Sequence, residues 1–343
     1  MVARTERAGV VNVAVVGLGW WGCHIIERFS NLTGSPIRVH LAVERIPDKA
    51  LNFVRRHKLE IMGDYERALD RSDIDAVILT TPHGQHEEQV IQAATAGKHV
   101  FCEKPLTLSQ ESAQRMVTCC SGAKVVLGIG HERRFEPAML ALRKLVDDGT
   151  LGTILHVESA FSHDKLADLP VDDWRAAPEH GPAVAMTGMG IHLTDSWIQM
   201  FGPVEQVFAE RARRVTALST GDVVCVQARF ASGMTGFLSA LLVTPFFMRY
   251  HVFGSLGWAQ VIDTAHPDSS EHTAQLTVQT RAGKRWLENY EGIDAVVVNL
   301  ETFAMAVLGQ TEYPVPTEEL IQNIAVLDAI GRSFESGQAE RVS

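Results

Sequence analysis

Gly17-Leu18-Gly19-Trp20-Trp21-Gly22 follows a short β-branched run, Val10 to Val16, and opens a helical stretch from Trp20 to Phe29. A G-x-G-x-x-G turn alone is a weak signal, but at a strand-to-helix junction it has few structural solutions. Gly17 permits the tight turn, Gly19 lets a pyrophosphate approach the backbone, and Gly22 lets the helix pack close to the strand. The amides of Trp20 and Trp21 would then point at the phosphates from the helix N-terminus. The alternative is a glycine-rich turn that binds nothing, and the strand and helix on either side argue against it.

The chain then repeats the strand–helix alternation. Strands are expected at Ile37 to Val43, Ala76 to Leu79, Lys98 to Cys102 and Lys124 to Ile129, and helices at Pro47 to Arg56, Gln85 to Ala96 and Ser109 to Cys120. That order indicates a doubly wound parallel sheet with both faces covered. After about Gly130 the pattern changes. A helix from Glu136 to Asp148 precedes longer β-rich segments at Ile154 to Phe161, Val204 to Glu210, Val223 to Phe230, Thr235 to Leu242 and Arg249 to Phe253, with late helices at Ile293 to Leu308 and Thr317 to Phe334. The expected fold is an N-terminal Rossmann domain over 1–129, followed by an α+β domain over 130–343 built on a large, mostly antiparallel open sheet, with the 317–334 helix able to pack back on the first domain.

Bulk properties narrow the class. A net charge of −10 repels phosphate backbones, so nucleic acid is not an expected partner, whereas a bound nucleotide needs only loop amides and a helix terminus. Cys23, Cys102, Cys119, Cys120 and Cys225 form no C-x-x-C pair and read as reduced thiols of a cytoplasmic protein. No apolar run reaches the ~18 residues a membrane helix requires, and the start of the chain does not read as a signal peptide.

The second strand ends at Val43-Glu44-Arg45. An acidic residue some twenty positions beyond the glycines bonds adenosine ribose hydroxyls, and its charge repels a 2′-phosphate. Glu44 therefore points to NAD as cofactor. Arg45, which could pair with that phosphate, keeps NADP possible.

Two further stretches carry a family resemblance. Thr80-Thr81-Pro82-His83-Gly84-Gln85-His86 and Gly97-Lys98-His99-Val100-Phe101-Cys102-Glu103-Lys104-Pro105 resemble the T-P-N-x-x-H and G-K-H-V-x-x-E-K-P motifs of the Gfo/Idh/MocA oxidoreductases, with His83 where Asn is usual. Arg133-Arg134-Phe135-Glu136-Pro137, Trp174-Arg175 and Gly190-Ile191-His192-Leu193-Thr194-Asp195 resemble the family's R-R-F-x-P, W-R and G-x-H-x-x-D, and the resemblance spans about residues 10 to 335. It implies a dinucleotide-dependent dehydrogenase or reductase acting on a small molecule: a sugar, cyclitol or cyclic diol. Lys104 would be its catalytic lysine and His192 its second catalytic group. Cofactor contacts are expected from Gly17, Gly19, Trp20, Trp21, Gly22, Glu44, Arg45, Thr81, Pro82, His83, His86, Glu103, Lys104 and Arg134. Substrate contacts are expected from Lys104, His131, His163, Trp174, Arg175 and His192.

The chemistry suits those residue types. Oxidising an alcohol removes a hydroxyl proton as hydride leaves the same carbon, and a lysine with a lowered pKa can stabilise the alkoxide or shuttle the proton. The chain departs from the family at Gly188, where an Asp usually stands one turn before the histidine. That departure leaves three readings: Lys104 acts with His192 alone; His163, Asp164 or Asp195 fills the gap; or the protein is a non-catalytic dinucleotide sensor or regulatory protein of the same fold. No H-E-x-x-H, P-loop or G-x-S-x-G is present, so no catalytic metal or nucleophilic serine is expected. Val223 to Ala228 is partly apolar on both faces, which suggests a homodimer or homotetramer through the second domain's sheet.

Overall fold

The computed structural model describes residues 9–267, 269 and 272–342. Every residue of β1 (Val11–Val16) is buried, as a central strand covered on both faces must be. After it come α1 (Trp20–Ser30), β2 (Ile37–Val43), α2 (Leu51–Arg56), β3 (Glu60–Met62), α3 (Tyr65–Leu69), β4 (Ala76–Leu79), α4 (His86–Thr95), β5 (His99–Cys102), α5 (Gln110–Ala123) and β6 (Leu127–Ile129). The six strands run parallel in the order β3-β2-β1-β4-β5-β6. The order reverses between β1 and β4, and ligands of such sheets bind outside the strands' carboxyl ends at that point. The helix expected from Pro47 to Arg56 is split: Pro47–Lys49 forms one tight turn, and α2 starts only at Leu51.

The second sheet has nine strands in the order β14-β13-β12-β11-β7-β10-β9-β8-β15. They are β7 (Ile154–Ser162), β8 (Val204–Ala212), β9 (Val223–Phe230), β10 (Thr235–Leu241), β11 (Phe247–Gly254), β12 (Gly257–Asp263), β13 (Thr273–Thr280), β14 (Arg285–Glu291) and β15 (Glu340–Arg341), with α6 (Pro137–Asp147) and α7 (Ile191–Phe201) before β8 and α8 (Ala295–Val307) and α9 (Thr317–Ser336) late in the chain. All pairs are antiparallel except β10 with β7. The strands β12, β13 and β14 were not expected from the sequence.

The chain divides into two units. The first runs to Leu106 and resumes over Ser112–Gly130 and Val296–Thr317; the second holds Thr107–Glu111, His131–Ala295 and the chain from Glu318 onward. By this division α8 belongs with the first unit and α9 with the second. The reason is apolar surface. Leu300, Phe303 and Ala304 of α8 join Val13, Ile25, Ile78 and Phe101 in one buried cluster, and Asn299 Nδ2 donates to the Ile129 carbonyl at 2.8 Å.

The turn between β1 and α1 is the tightest point of the first unit. Gly17 has φ +91°, a left-handed conformation that favours glycine. A Cβ on Gly22 would lie 2.0 Å from the Gly17 carbonyl oxygen and 2.7 Å from Thr80 Oγ1. Thr80 Oγ1 in turn reaches the Gly17 carbonyl at 2.6 Å, tying the end of β4 to the turn. Gly22→Ala is therefore expected to cost about 1–3 kcal/mol, read as a lower midpoint in urea denaturation. An unchanged midpoint would show that the helix can move away from the strand.

Candidate active site

The phosphate-binding turn has the features a dinucleotide requires. A Cβ on Gly19 would meet nothing within 4 Å, so a ligand can approach the backbone there. No side chain caps the N-terminus of α1, and its first turn carries no acidic residue, leaving amides and helix dipole to face an anion. Glu44 is held at the end of β2: one carboxylate oxygen accepts from the Leu18 amide at 3.0 Å and the other from the Ile46 amide at 3.2 Å. It thus stands beside the glycine turn, while Arg45 is exposed. Trp20 is 63% exposed and stacks on His24, which lies one turn later.

The loops after β4 and β5 are joined by His86. Its ring is fully buried, with Nδ1 2.9 Å from the Pro105 carbonyl and Nε2 2.9 Å from the Thr81 carbonyl. That corrects the expected cofactor contact: with no exposed surface, His86 clamps the threonine loop to the Lys104-Pro105 loop. Burial pushes its pKa down, against the backbone groups of Thr81, Pro105 and Leu106 that favour the charged ring. Glu103 stands before Lys104 on the same loop. It is 8% exposed, and its carboxylate fills the space beside Gly130, where a Cβ would come within 2.6 Å of both oxygens. Burial raises its pKa, while Trp21 and Lys104 favour the ionised form. Lys104 itself, half-buried, follows the end of β5 with a cis bond to Pro105. Thr81, Pro82 and His83 are half-buried on the facing loop.

In the second unit the R-R-F motif builds two buried ion networks. Arg134 bonds Asp195 through Nε at 2.7 Å and Nη2 at 2.6 Å, a fork-on-carboxylate pair, and Nη1 reaches Glu319 at the start of α9. Its side chain is 2% exposed and engaged by these carboxylates, which gives Arg134 a structural role. Arg133 binds two carboxylates, Asp263 and, at 2.9 Å, Glu136. One buried guanidinium cannot neutralise both. Asp263, favoured by Arg133 and His272 against the cost of burial, is held below the usual carboxylate range, while burial pushes Glu136 up to about 8.

His192 sits on the first turn of α7, 4% exposed. Its Nδ1 lies 3.9 Å from Glu132 Oε1, and its ring meets His131 edge-on at 5.8 Å and Phe161 at 6.2 Å. His131 is 2% exposed; its Nε2 lies 3.2 Å from Asn323 Nδ2 and 3.6 Å from Asp195. Buried this way, it packs edge-on against the His192 ring. His163 is buried against Phe161 and His266, with ring centroids at 5.6 and 5.4 Å. Arg175, among the expected substrate contacts, holds Asp173 at 3.0 Å through its guanidinium, which lies over Trp174.

Gly188 lies in a π-helical turn, Met186–Gly190, that leads into α7. A Cβ there would touch Leu166 Cδ1 at 3.4 Å, so an apolar side chain stands beside the position. Of the residues weighed for the missing carboxylate, Asp195 is engaged by Arg134, Asp164 is exposed, and His163 packs among rings. Glu132, which sequence reasoning overlooked, brings a carboxylate oxygen to 3.9 Å from His192 Nδ1. Its one signal was its place between His131 and the R-R-F motif.

Residues 11–131 match the family profile described as "Oxidoreductase family, NAD-binding Rossmann fold", and residues 139–260 match the "GFO/IDH/MocA C-terminal domain". The myo-inositol 2-dehydrogenase of Thermotoga maritima is 31% identical over 257 residues, 72% of this chain and 74% of the relative. The 2,7-anhydro-N-acetylneuraminate hydratase of Mediterraneibacter gnavus is 32% identical over 150 residues, 44% of this chain, and the match spans only 39% of that relative. A levoglucosan dehydrogenase solved with NADH and levoglucosan superposes with a TM-score of 0.84 at 21% identity, over 97% of this chain and 99% of that one. The chain belongs to the Gfo/Idh/MocA oxidoreductase family, and its first domain is an NAD-binding Rossmann fold. That membership places it among NAD(P)-dependent oxidoreductases.

The unequal carboxylates beside Arg133 give a test. Asp263→Asn strips the guanidinium of its charged partner and is expected to cost about 3–5 kcal/mol. Glu136 keeps its proton when folded at pH values where the unfolded chain has released it. Stability is therefore expected to fall as pH rises from the ordinary glutamate range toward about 8. Glu136→Gln should remove that slope. Urea denaturation across this range measures both, and equal costs for the two variants at neutral pH would contradict the assignment.

Proposed function

We propose that the protein is an NAD-dependent dehydrogenase or reductase that interconverts a secondary alcohol and a ketone on a sugar, cyclitol or cyclic diol. The observation that supports it most is the pairing of an open glycine cradle beside an anchored Glu44 with a half-buried lysine, Lys104, on a loop clamped by His86. The relatives point to the same substrate class: inositol, levoglucosan and anhydro-neuraminate, named for three of them, all carry hydroxyls on a ring.

The bound nicotinamide supplies the hydride acceptor in one direction and the donor in the other. Gly17, Gly19, Gly22 and the amides of Trp20 and Trp21 bind its pyrophosphate. Glu44 takes the adenosine ribose, and its charge disfavours a 2′-phosphate. Lys104 places an ammonium where the alkoxide develops, and His192 exchanges the hydroxyl proton. The apolar Leu166 beside Gly188 suits a substrate with a less polar ring face there than a fully hydroxylated sugar presents.

The test is a panel of cyclic polyols and diols with NAD and NADP, followed by absorbance of reduced nicotinamide. Turnover with at least one member is expected, with kcat/KM favouring NAD, and Lys104→Ala should abolish it while leaving NADH affinity within a few-fold. Retained turnover in the variant removes Lys104 from the chemistry. NADP preference removes the role given to Glu44, and binding without turnover across the panel returns the sensor reading.

The exposed face of the nine-stranded sheet carries Phe237 at 38% and Leu287 at 50% exposure among polar neighbours. We propose self-association through this face. Light scattering after size exclusion is expected to give a dimer or tetramer, and a monomer at micromolar concentration would refute it.

A further inference from the structure

Proton transfer through His192 depends on which ring nitrogen carries the proton, and a histidine's tautomer is set by the partner of its other nitrogen. His192 is 4% exposed, and its Nδ1 is shielded from solvent and faces Glu132 Oε1 at 3.9 Å. The charged groups of the neighbouring R-R-F motif and α7 are engaged with one another. Asp195, on the same helix, is forked by Arg134; Glu319 on α9 also binds Arg134; and Arg133 is shared by Asp263 and Glu136. From β7, Phe161 presents an apolar ring, and His131 touches His192 edge-on with its own Nε2 turned toward Asn323 and Asp195. Glu132, whose side chain is 18% exposed, is the carboxylate turned to His192 Nδ1.

We propose that Glu132 is the positioning residue of His192: it accepts a hydrogen bond from Nδ1–H, fixes the neutral ring with Nε2 as proton acceptor, and stabilises the imidazolium formed when Nε2 takes the substrate hydroxyl proton. The proton balance is closed. The hydroxyl proton goes to Nε2, Nδ1 keeps its own proton throughout, and Glu132 remains ionised, as the carboxylate does in a carboxylate–histidine pair. A distance of 3.9 Å exceeds a hydrogen bond, and a rotation of the glutamate arm closes it; such catalytic contacts are often long until substrate binds. Glu132 thereby supplies, from the turn before α6, a carboxylate that Gly188 one turn before His192 does not.

The inference rests on the proposed role of His192, and the experiment separates the two. The full chain is labelled with ring-15N histidine, and the His192 signals are identified by their loss in His192→Gln. In the wild type the neutral ring is expected to carry its proton on Nδ1. In Glu132→Gln that tautomer preference is expected to be lost and the titration midpoint of His192 to fall by about one pH unit. Glu132→Asp, which keeps the charge on a shorter arm, should lie between the two. A tautomer and midpoint unchanged in Glu132→Gln, or a midpoint in Glu132→Asp as low as in Glu132→Gln, overturns the proposal. Should His192→Gln retain full turnover while the midpoint shift is present, the pairing stands and the catalytic role of His192 falls.

Discussion

One missing side chain governs the first unit. The Gly17 carbonyl occupies the space that a Cβ at position 22 would need, 2.0 Å away, so α1 can press onto the end of β1 only because residue 22 is glycine. That approach sets the direction of the first helical amides, the open backbone at Gly19, and the position of Glu44, which the Leu18 amide holds against the same turn. Thr80 ties β4 into the junction through the Gly17 carbonyl. His86 then carries the order outward by joining the Thr81 and Pro105 carbonyls. A string of side-chain-to-backbone contacts thus leads from a glycine to the loop that presents Lys104.

The second unit is ordered by buried charge. Burying ions is expensive unless each is matched, and an unmatched one costs more than the pair gains. Arg134 with Asp195 and Glu319, and Arg133 with Asp263 and Glu136, connect the chain at 133–136 to α7, α9 and β12. They leave Glu132 beside them, facing His192. Adjacent motif positions therefore do different work: Arg134 locks α7, while Glu132 faces the ring that α7 presents.

Much of this was legible in the sequence. The glycine turn, the parallel sheet and the change of architecture at Gly130 could be read because strand and helix periods alternate cleanly there. β3 was not, because Glu60–Met62 is too short to show a period. β13 and β14 were missed because Gln275, Thr277, Gln279, Glu288 and Asn289 dilute the apolar pattern that marked the earlier strands. Motif membership also misled. His86, for example, belongs to a motif that suggested ligand contact, yet its fully buried ring joins two loops of the framework. Glu132 was invisible for the opposite reason: its partner lies far along the chain, and no local pattern joins them.

Every role proposed for the site requires a dinucleotide seated at the β1–α1 turn. Isothermal titration of the full chain with NADH measures this without knowing the substrate. One binding site per chain is expected, with NADH bound more tightly than NADPH because Glu44 stands where the 2′-phosphate would go. No heat and no change in Trp20 or Trp21 fluorescence with either dinucleotide would contradict it.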